Sequence, residues 1–358
     1  MRDELIPDQK EIFGWIEQIY AQGVRRPGYP ADRWAEEFCA ERFRALGLEN
    51  VRLEPAPLPY WEPRSWSLHA SGGGEEIELP CFPLPHSAPT EEIELELLPY
   101  DPASPAAVQG KASLDDMTLV RIPPASPVTG GSVVEALSDD LEVGVSPGGR
   151  LFDSRSSFEG AVQVLPFGPR IQWVMEPAIE AGAAAFIGAL TDYPGDSCQY
   201  YVPYDGVSRP IPGVWIRGSD GARRRSMLEA GPVGVRLRVD SVRREITSYN
   251  VVGELSGADP EWVVIGSHHD GPWSSAVEDG SGIALVLAQA AYWSRVPEAE
   301  RPHRLVFLLN AGHMVGAAGC EAFIDTHAED LERIVLSIHL EHAAREFVER
   351  DGALVPSG

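Results

Sequence analysis

At 358 residues, 44% of them hydrophobic, the chain is long enough for two or three packed units and apolar enough to fold. A formal net charge of -25 repels phosphate backbones and anionic lipid, and no basic run exceeds Arg223-Arg224-Arg225, so nucleic acid and membrane surfaces are excluded as partners. No stretch approaches the roughly 20 apolar residues that span a bilayer, and the most apolar segment, Ile283 to Trp293, is too short.

The first residues are acidic where a secretory leader is basic, and no long apolar segment follows. Cys39, Cys81, Cys198 and Cys320 are widely spaced with no Cys-x-x-Cys pair, which fits reduced thiols in a cytoplasm better than a zinc ribbon or a disulfide frame.

In chain order, residues 8–48 read as two helices. Ile12, Trp15, Ile16 and Ile19 recur at helical spacing, and Trp34, Phe38 and Leu46 form a second stripe between Pro30 and a stop at Gly47. Val51 to Pro63 is proline-rich, and Trp66 to Ala70 alternates like a strand before the Gly72-Gly73-Gly74 turn. Short strands broken by Pro and Gly follow from about 76 to 245. Within them a helix is expected at Pro177–Gly182, strands at Ala183–Gly188, Ile211–Ile216 and Val233–Val239, and a helix at Ala222–Ala230. Few ionisable side chains in this region are grouped for chemistry, so it reads as a structural insert.

From Thr247 the pattern changes. Strands at Asn250–Leu255, Trp262–Ile265, Arg304–Leu309 and Ile334–Leu340 alternate with helices at Ser281–Trp293 and Gly319–His327, which implies an α/β sheet with helices on its faces. Ligands in such sheets bind beyond the carboxyl ends of the strands. His268-His269-Asp270, His313 and Glu341-His342 all follow strands there, and Asp279 stands at the entrance to the Ser281 helix. Imidazole and carboxylate are the donors that zinc takes in an open-sided site, and a bridging carboxylate can hold two ions. Asp279 is the expected bridge. Asp270 is placed to accept the second ring N–H of His268 and fix its tautomer. Singly, each has a plainer reading, as a loop histidine or a helix cap. Their shared position at successive strand ends favours a site. Gly280-Ser281-Gly282 lacks the wider nucleophile elbow, and no cysteine lies in a histidine-rich context, so a covalent nucleophile is disfavoured.

Val264-Ile265-Gly266-Ser267-His268-His269-Asp270 and Val277-Glu278-Asp279-Gly280-Ser281-Gly282 resemble the first two metal motifs of the co-catalytic zinc aminopeptidases, and Ser248 to Gly257 resembles their lead-in. That family includes bacterial leucyl aminopeptidase, aminopeptidase Y and glutamate carboxypeptidase II. Glu180 to Ala185 and Ile211 to Val214 resemble the protease-associated domain that many members insert ahead of the zinc sheet, and Gly28-Tyr29-Pro30 with Leu46-Gly47-Leu48 resembles their opening helices.

The resemblance implies an α/β fold: a three-layer zinc-peptidase sheet, incomplete at its C-terminal side, with an inserted β-rich protease-associated-like domain. Residues 1–75 and 246–358 then belong to the peptidase domain and 76–245 to the insert. It also implies one or two zinc ions held by His268, Asp279 and Glu341, with Asp270 orienting His268. Two departures stand out. Where members carry a glutamate pair as base and ligand, this chain has His313-Met314, so His313 is expected as proton shuttle or as ligand, while a thioether offers zinc no charge. The zinc domain supplies about 110 of the roughly 200 residues usual for such sheets, so the expectation is a fragment, or a site completed by another copy or a partner chain. The leading reading is a metal-dependent hydrolase of peptide or amide bonds acting on a peptide or aminoacyl substrate. The alternatives are a catalytically degenerate relative that binds peptide or a protein partner, and a one-metal hydrolase using His268, Asp279 and His313.

Overall fold

The computed structural model describes residues 2–118, 120–121, 143–145, 151–153, 164–165, 171–191, 193–342, 347–350 and 353–356. Parts of the expected 76–245 insert and of the C-terminal stretch therefore lie outside the described residues. In order, the principal elements are α1 (Gln9–Tyr20), α2 (Pro30–Ala45), β1 (Glu49–Gly72), β2 (Glu75–Leu79), β3 (Cys81–Pro83), β4 (Thr90–Pro99), β5 (Ala112–Thr118), α3 (Ile171–Glu180), β6 (Ala185–Thr191), β7 (Gly213–Arg217), α4 (Gly218–Ala230), β8 (Val233–Leu255), β9 (Asp259–His268), α5 (Gly282–Ser294), β10 (His303–Asn310), α6 (Ala318–Thr326) and β11 (Ile334–His339).

Two compact units divide the chain. One comprises 1–62, 204–207 and 242–355; the other comprises 63–203, 208–241 and 356–358. The second unit thus begins at Pro63, ahead of the boundary at 76 expected from sequence, and residues 204–207 return to the first unit.

In the first unit, β11, β9 and β10 are parallel neighbours, and the last part of β8 pairs antiparallel with β10, from Val251↔Leu309 to Leu255↔Leu305. Both faces are covered, so the strands read as continuous apolar runs rather than alternating ones. One face buries Val251, Ile265, Leu305, Phe307 and Leu309 against Trp15 and Ile19 of α1, Phe38 and Phe43 of α2, and Ile283, Val286 and Leu287 of α5. The other buries Val252, Trp262, Val264, Val306 and Leu308 against Phe323 of α6. Each such side chain contributes about 1.5–3 kcal/mol, which is what fixes the three layers. Asp8 caps α1 by accepting from Lys10 N at 2.7 Å, Pro30 opens α2, and Gly47, at φ +80°, follows its end. On β11, by contrast, Val335, Leu336 and Ile338 are exposed.

Val51 to Pro63, read from sequence only as proline-rich, lies within β1. Glu54, Ala56, Leu58 and Tyr60 are buried, while Pro55 and Pro57 are exposed and Pro59 and Pro63 are half-buried. Successive N–H groups of a strand point to opposite sides, so prolines at odd positions remove donors from one side only and leave the other ladder intact.

In the second unit, β4, β5, β6 and β7 run parallel, and β3 and the first part of β8 flank them antiparallel. Leu114, Ala185, Ile187, Val214, Ile216, Val235 and Leu237 form its core. Among the described residues, no helix is long and apolar enough to cross a membrane.

Candidate functional site

Because β9, β10 and β11 are parallel, their carboxyl ends open on one edge. His268 pairs with Asn310, Gly266 with His339, and Leu340 N donates to Gly266 O at 2.8 Å. The segments that follow, 269–275, 311–316 and 340–342, therefore rise side by side, and His268, His313 and Glu341 meet.

His268 is 1% exposed. Its Nδ1 lies 2.9 Å from the backbone carbonyl of Asp270, which can only accept, so Nδ1 carries the hydrogen and Nε2 faces the cluster. Nε2 is 3.2 Å from Glu341 Oε1 and 3.9 Å from Asp279 Oδ2. Burial pulls this imidazole down, but its bonds to Asp270 and Glu341 and the charges of Asp270 and Asp279 override that and push it up to about 10. Hydrogen bonds from His268 and His339 hold the Glu341 carboxyl well below the usual range.

Asp270 was expected to orient His268 through its carboxylate. Its backbone carbonyl makes the short contact, and the carboxylate stands 3.6 Å from Nδ1. The two carboxylate oxygens instead accept from His313 N at 3.1 Å and Met314 N at 2.8 Å. Asp270 thus ties the His268 loop to the His313 turn. Burial would lift its pKa, yet the neighbouring His268 and His269 and the Met314 N–H hold it at about 2. Asn250, from the lead-in motif, braces the same turn by accepting from Ala311 N at 2.9 Å and donating to Gly319 O at 2.8 Å.

His313 stacks on His268 with ring centroids 4.1 Å apart, and Tyr204 lies against it at 5.7 Å. His313 Nε2 is 3.6 Å from Glu341 Oε1. Burial and the charge of His268 lower its pKa. Tyr204 reaches this place because its carbonyl accepts from Gly316 N at 2.8 Å, a residue at φ +80° that favours glycine. Met314 is buried.

The expected bridge, Asp279, is displaced by its neighbour. The donors that close on one another within 4.8 Å are those of His268, Glu278, His313 and Glu341. Asp279 is spent on the turn Ala276–Ser281 that leads into α5: it accepts from the Ser267 hydroxyl, from Gly282 N at 3.1 Å and from His342 N at 3.2 Å. A Cβ on Gly282 would fall 2.1 Å from Asp279 Oδ2 and 2.3 Å from Leu340 O, so only glycine admits this approach. Burial pushes Asp279 up to about 6. Glu278 bonds His342 Nε2 at 3.1 Å, which raises the His342 pKa.

Sequence reasoning missed Glu278, Tyr204 and the residues that grip the loop from behind, Arg25, Asp32 and His269. For Glu278 the signal was present but ambiguous, since two adjacent acids stand in the motif and only the backbone path decides which faces the cluster. For Asp32, its i,i+4 relation to Glu36 on an otherwise apolar buried face of α2 was a readable sign.

Residues 250–351 match peptidase family M28. A probable leucine aminopeptidase 2 of Aspergillus oryzae is 32% identical over 211 residues, covering 54% of this chain and 39% of that protein. A peptidase M28 precursor from Shewanella amazonensis superposes with a TM-score of 0.65 at 21% identity, covering 91% of this chain and 69% of that one. BSAP, a zinc aminopeptidase from Bacillus subtilis, gives a TM-score of 0.62 at 18% identity, covering 94% and 70%. The chain spans less than two thirds of the length of the curated relatives it matches, from 18% to 63%. Over residues 250–351, which carry the strand ends of the cluster, the chain is thus similar to peptidase family M28, and its fold is similar to that of a zinc aminopeptidase.

Proposed function

We propose that the chain is a zinc-dependent peptidase of aminopeptidase type, with His268, Glu278 and Glu341 holding the metal and His313 carrying the proton. The observation that carries this reading is the convergence of two imidazoles and two carboxylates within 4.8 Å at the ends of parallel strands. The donor set fits zinc, which takes imidazole nitrogen and carboxylate oxygen, and two carboxylates balance the charge of one divalent ion. The Nδ1 bond of His268 presents Nε2 to the ion, and the low pKa of Glu341 keeps it anionic.

Zinc bound there supplies a Lewis acid toward a scissile carbonyl and toward water. His313, whose pKa burial lowers, takes a proton from the attacking water and delivers it to the leaving amine. Its ring is fixed between His268 and Tyr204, and its backbone by Asp270. His268, Glu278 and Glu341 would supply three donors to such an ion.

A second reading has its own support: His313 Nε2 belongs to the same four-donor cluster, so His313 could serve as a fourth ligand in a closed site that binds without cleaving. The test is zinc binding by the full chain together with hydrolysis of aminoacyl p-nitroanilides. His268→Ala abolishes both on this account, and a parent protein that takes up no zinc and cleaves no aminoacyl amide removes it. His313→Ala separates the readings, keeping zinc and losing turnover if the residue carries the proton, and losing zinc if it is a ligand.

A further inference from the structure

The two ends of the loop that bears the cluster are gripped from a segment some 240 residues earlier in the chain. His269 follows His268 directly, yet its ring turns away from the cluster and is 0% exposed. Its Nδ1 meets Asp32 Oδ1 at 2.7 Å, and its Nε2 meets the carbonyl of Tyr249 at 3.0 Å. The second oxygen of Asp32 accepts from Gly28 N at 2.7 Å and so fixes the turn before α2.

From that turn, the buried Arg25 donates to the carbonyls of His269 at 3.1 Å, Ser274 at 2.5 Å and Ser275 at 3.0 Å. Its backbone adds Arg25 N to Trp273 O and Gly271 N to Arg25 O, both at 2.9 Å. One turn further along α2, Glu36 accepts from the Ser248 hydroxyl and from Tyr249 N at 3.0 Å, bracing the carbonyl that His269 uses.

Burying carboxylates is costly unless each is fully bonded, and replacing such groups by apolar ones is often neutral for stability. The other α2 residues in the sheet-facing core, Phe38, Cys39, Ala40 and Phe43, are apolar, so the acids at 32 and 36 stand out as residues kept for their hydrogen bonds rather than for packing. The donors of Asp32, Glu36 and His269 also lie within 4.8 Å of one another, but the hydrogen bonds above already occupy them, which argues against a second metal site.

We infer that Asp32, through His269, is a positioning residue for the metal cluster. Together with Arg25 it locks loop 269–275 so that His268 at one end and Glu278, just beyond the other, hold their spacing before any metal arrives. This inference rests on the zinc-peptidase reading above. Partners that orient metal ligands typically change affinity or activity by about 10- to 100-fold when removed.

The experiment compares the full chain with Asp32→Asn, His269→Leu and the double variant. It measures zinc affinity by chelator competition, kcat and KM separately on an aminoacyl p-nitroanilide at saturating zinc, and melting of the metal-free protein. The expected result is a loss of about 10- to 100-fold in zinc affinity and in kcat for either single variant, with KM changed by less than about threefold. The double variant should be no worse than the weaker single, because the pair acts as one unit. Should Asp32→Asn fail to fold, His269→Leu, which leaves the Asp32 bond to Gly28 in place, carries the same readout. Variants that melt earlier but keep parental kcat and zinc affinity overturn the inference and leave a structural role only. A parent chain that binds no zinc, or whose zinc is unaffected by His268→Ala, instead overturns the functional reading beneath it.

Discussion

The imidazoles of His268 and His313 lie face to face, 4.1 Å between centroids and 15° between planes. Two cations do not stack this closely without cost, and the carboxylates around His268 keep the positive charge there while His313 is pushed down. That charge belongs to the metal-free protein; with His268 holding a metal, burial still lowers the His313 pKa and favours a ring able to take a proton. His313→Ala should lower kcat by about 100- to 10,000-fold, the usual contribution of a positioned base. Steady-state kinetics at saturating zinc check this, and a variant with unchanged kcat would remove His313 from the chemistry.

Adjacent acids in the sequence carry different work. Glu278 belongs to the four-donor cluster, whereas Asp279 is consumed by Ser267, Gly282 and His342. Loss of a direct ligand should exceed the cost of losing an orienting partner, so Glu278→Gln should weaken zinc by more than about 100-fold. Asp279→Asn should mainly destabilise the fold, by about 1–3 kcal/mol, because one of the two buried oxygens that accept from Ser267, Gly282 and His342 becomes a donor. Competition with a chelator and denaturant melts on both variants decide the matter. The assignment fails if Asp279→Asn loses more zinc than Glu278→Gln.

The role expected of Tyr204 is a ring surface against His313. Its ring lies 5.7 Å from that of His313 at 30°, and such contacts are worth about 0.5–1.5 kcal/mol. Tyr204→Ala should cost up to about tenfold in kcat, while Tyr204→Phe, which keeps the ring, should stay near the parent. A large loss in the phenylalanine variant would instead point to the hydroxyl.

Away from the site, Asp115 is pushed up to about 6 by burial, against the Ser113 hydroxyl that donates to it at 2.7 Å. Unfolded, it titrates near about 3.9. Between those values the native state binds the extra proton, so stability from this group is present below about pH 4 and is lost as pH rises through about 6. Asp115→Asn should therefore melt higher than the parent at pH 7, with the gap closing toward pH 4. Thermal melts across that range test it, and a gap that widens on acidification would refute the sign.

Much of the zinc sheet could be read from the sequence because its strands are short apolar runs separated by clear turn signals, and parallel order alone sends His268, His313 and Glu341 to one edge. The strand hidden in Val51 to Pro63 escaped notice because proline is read as a breaker, although its spacing of two keeps every lost donor on one side. The choice between Glu278 and Asp279 depends on the backbone path through a turn closed by Gly282, which no residue pattern specifies. Arg25, Asp32 and His269 interact over some 240 residues of sequence, and single-sequence periodicity is blind to such pairs. Tyr204 arrives from a four-residue return of the chain to the first unit, equally invisible along the sequence.

Anomalous X-ray diffraction at the zinc edge, on crystals of the full chain equilibrated with zinc, tests the central claim most directly. The account predicts a zinc peak about 2.0–2.2 Å from His268 Nε2 and from carboxylate oxygens of Glu278 and Glu341, with His313 Nε2 close by. A peak ligated by Asp279 with Glu278 turned away, or no zinc at these strand ends, would contradict it.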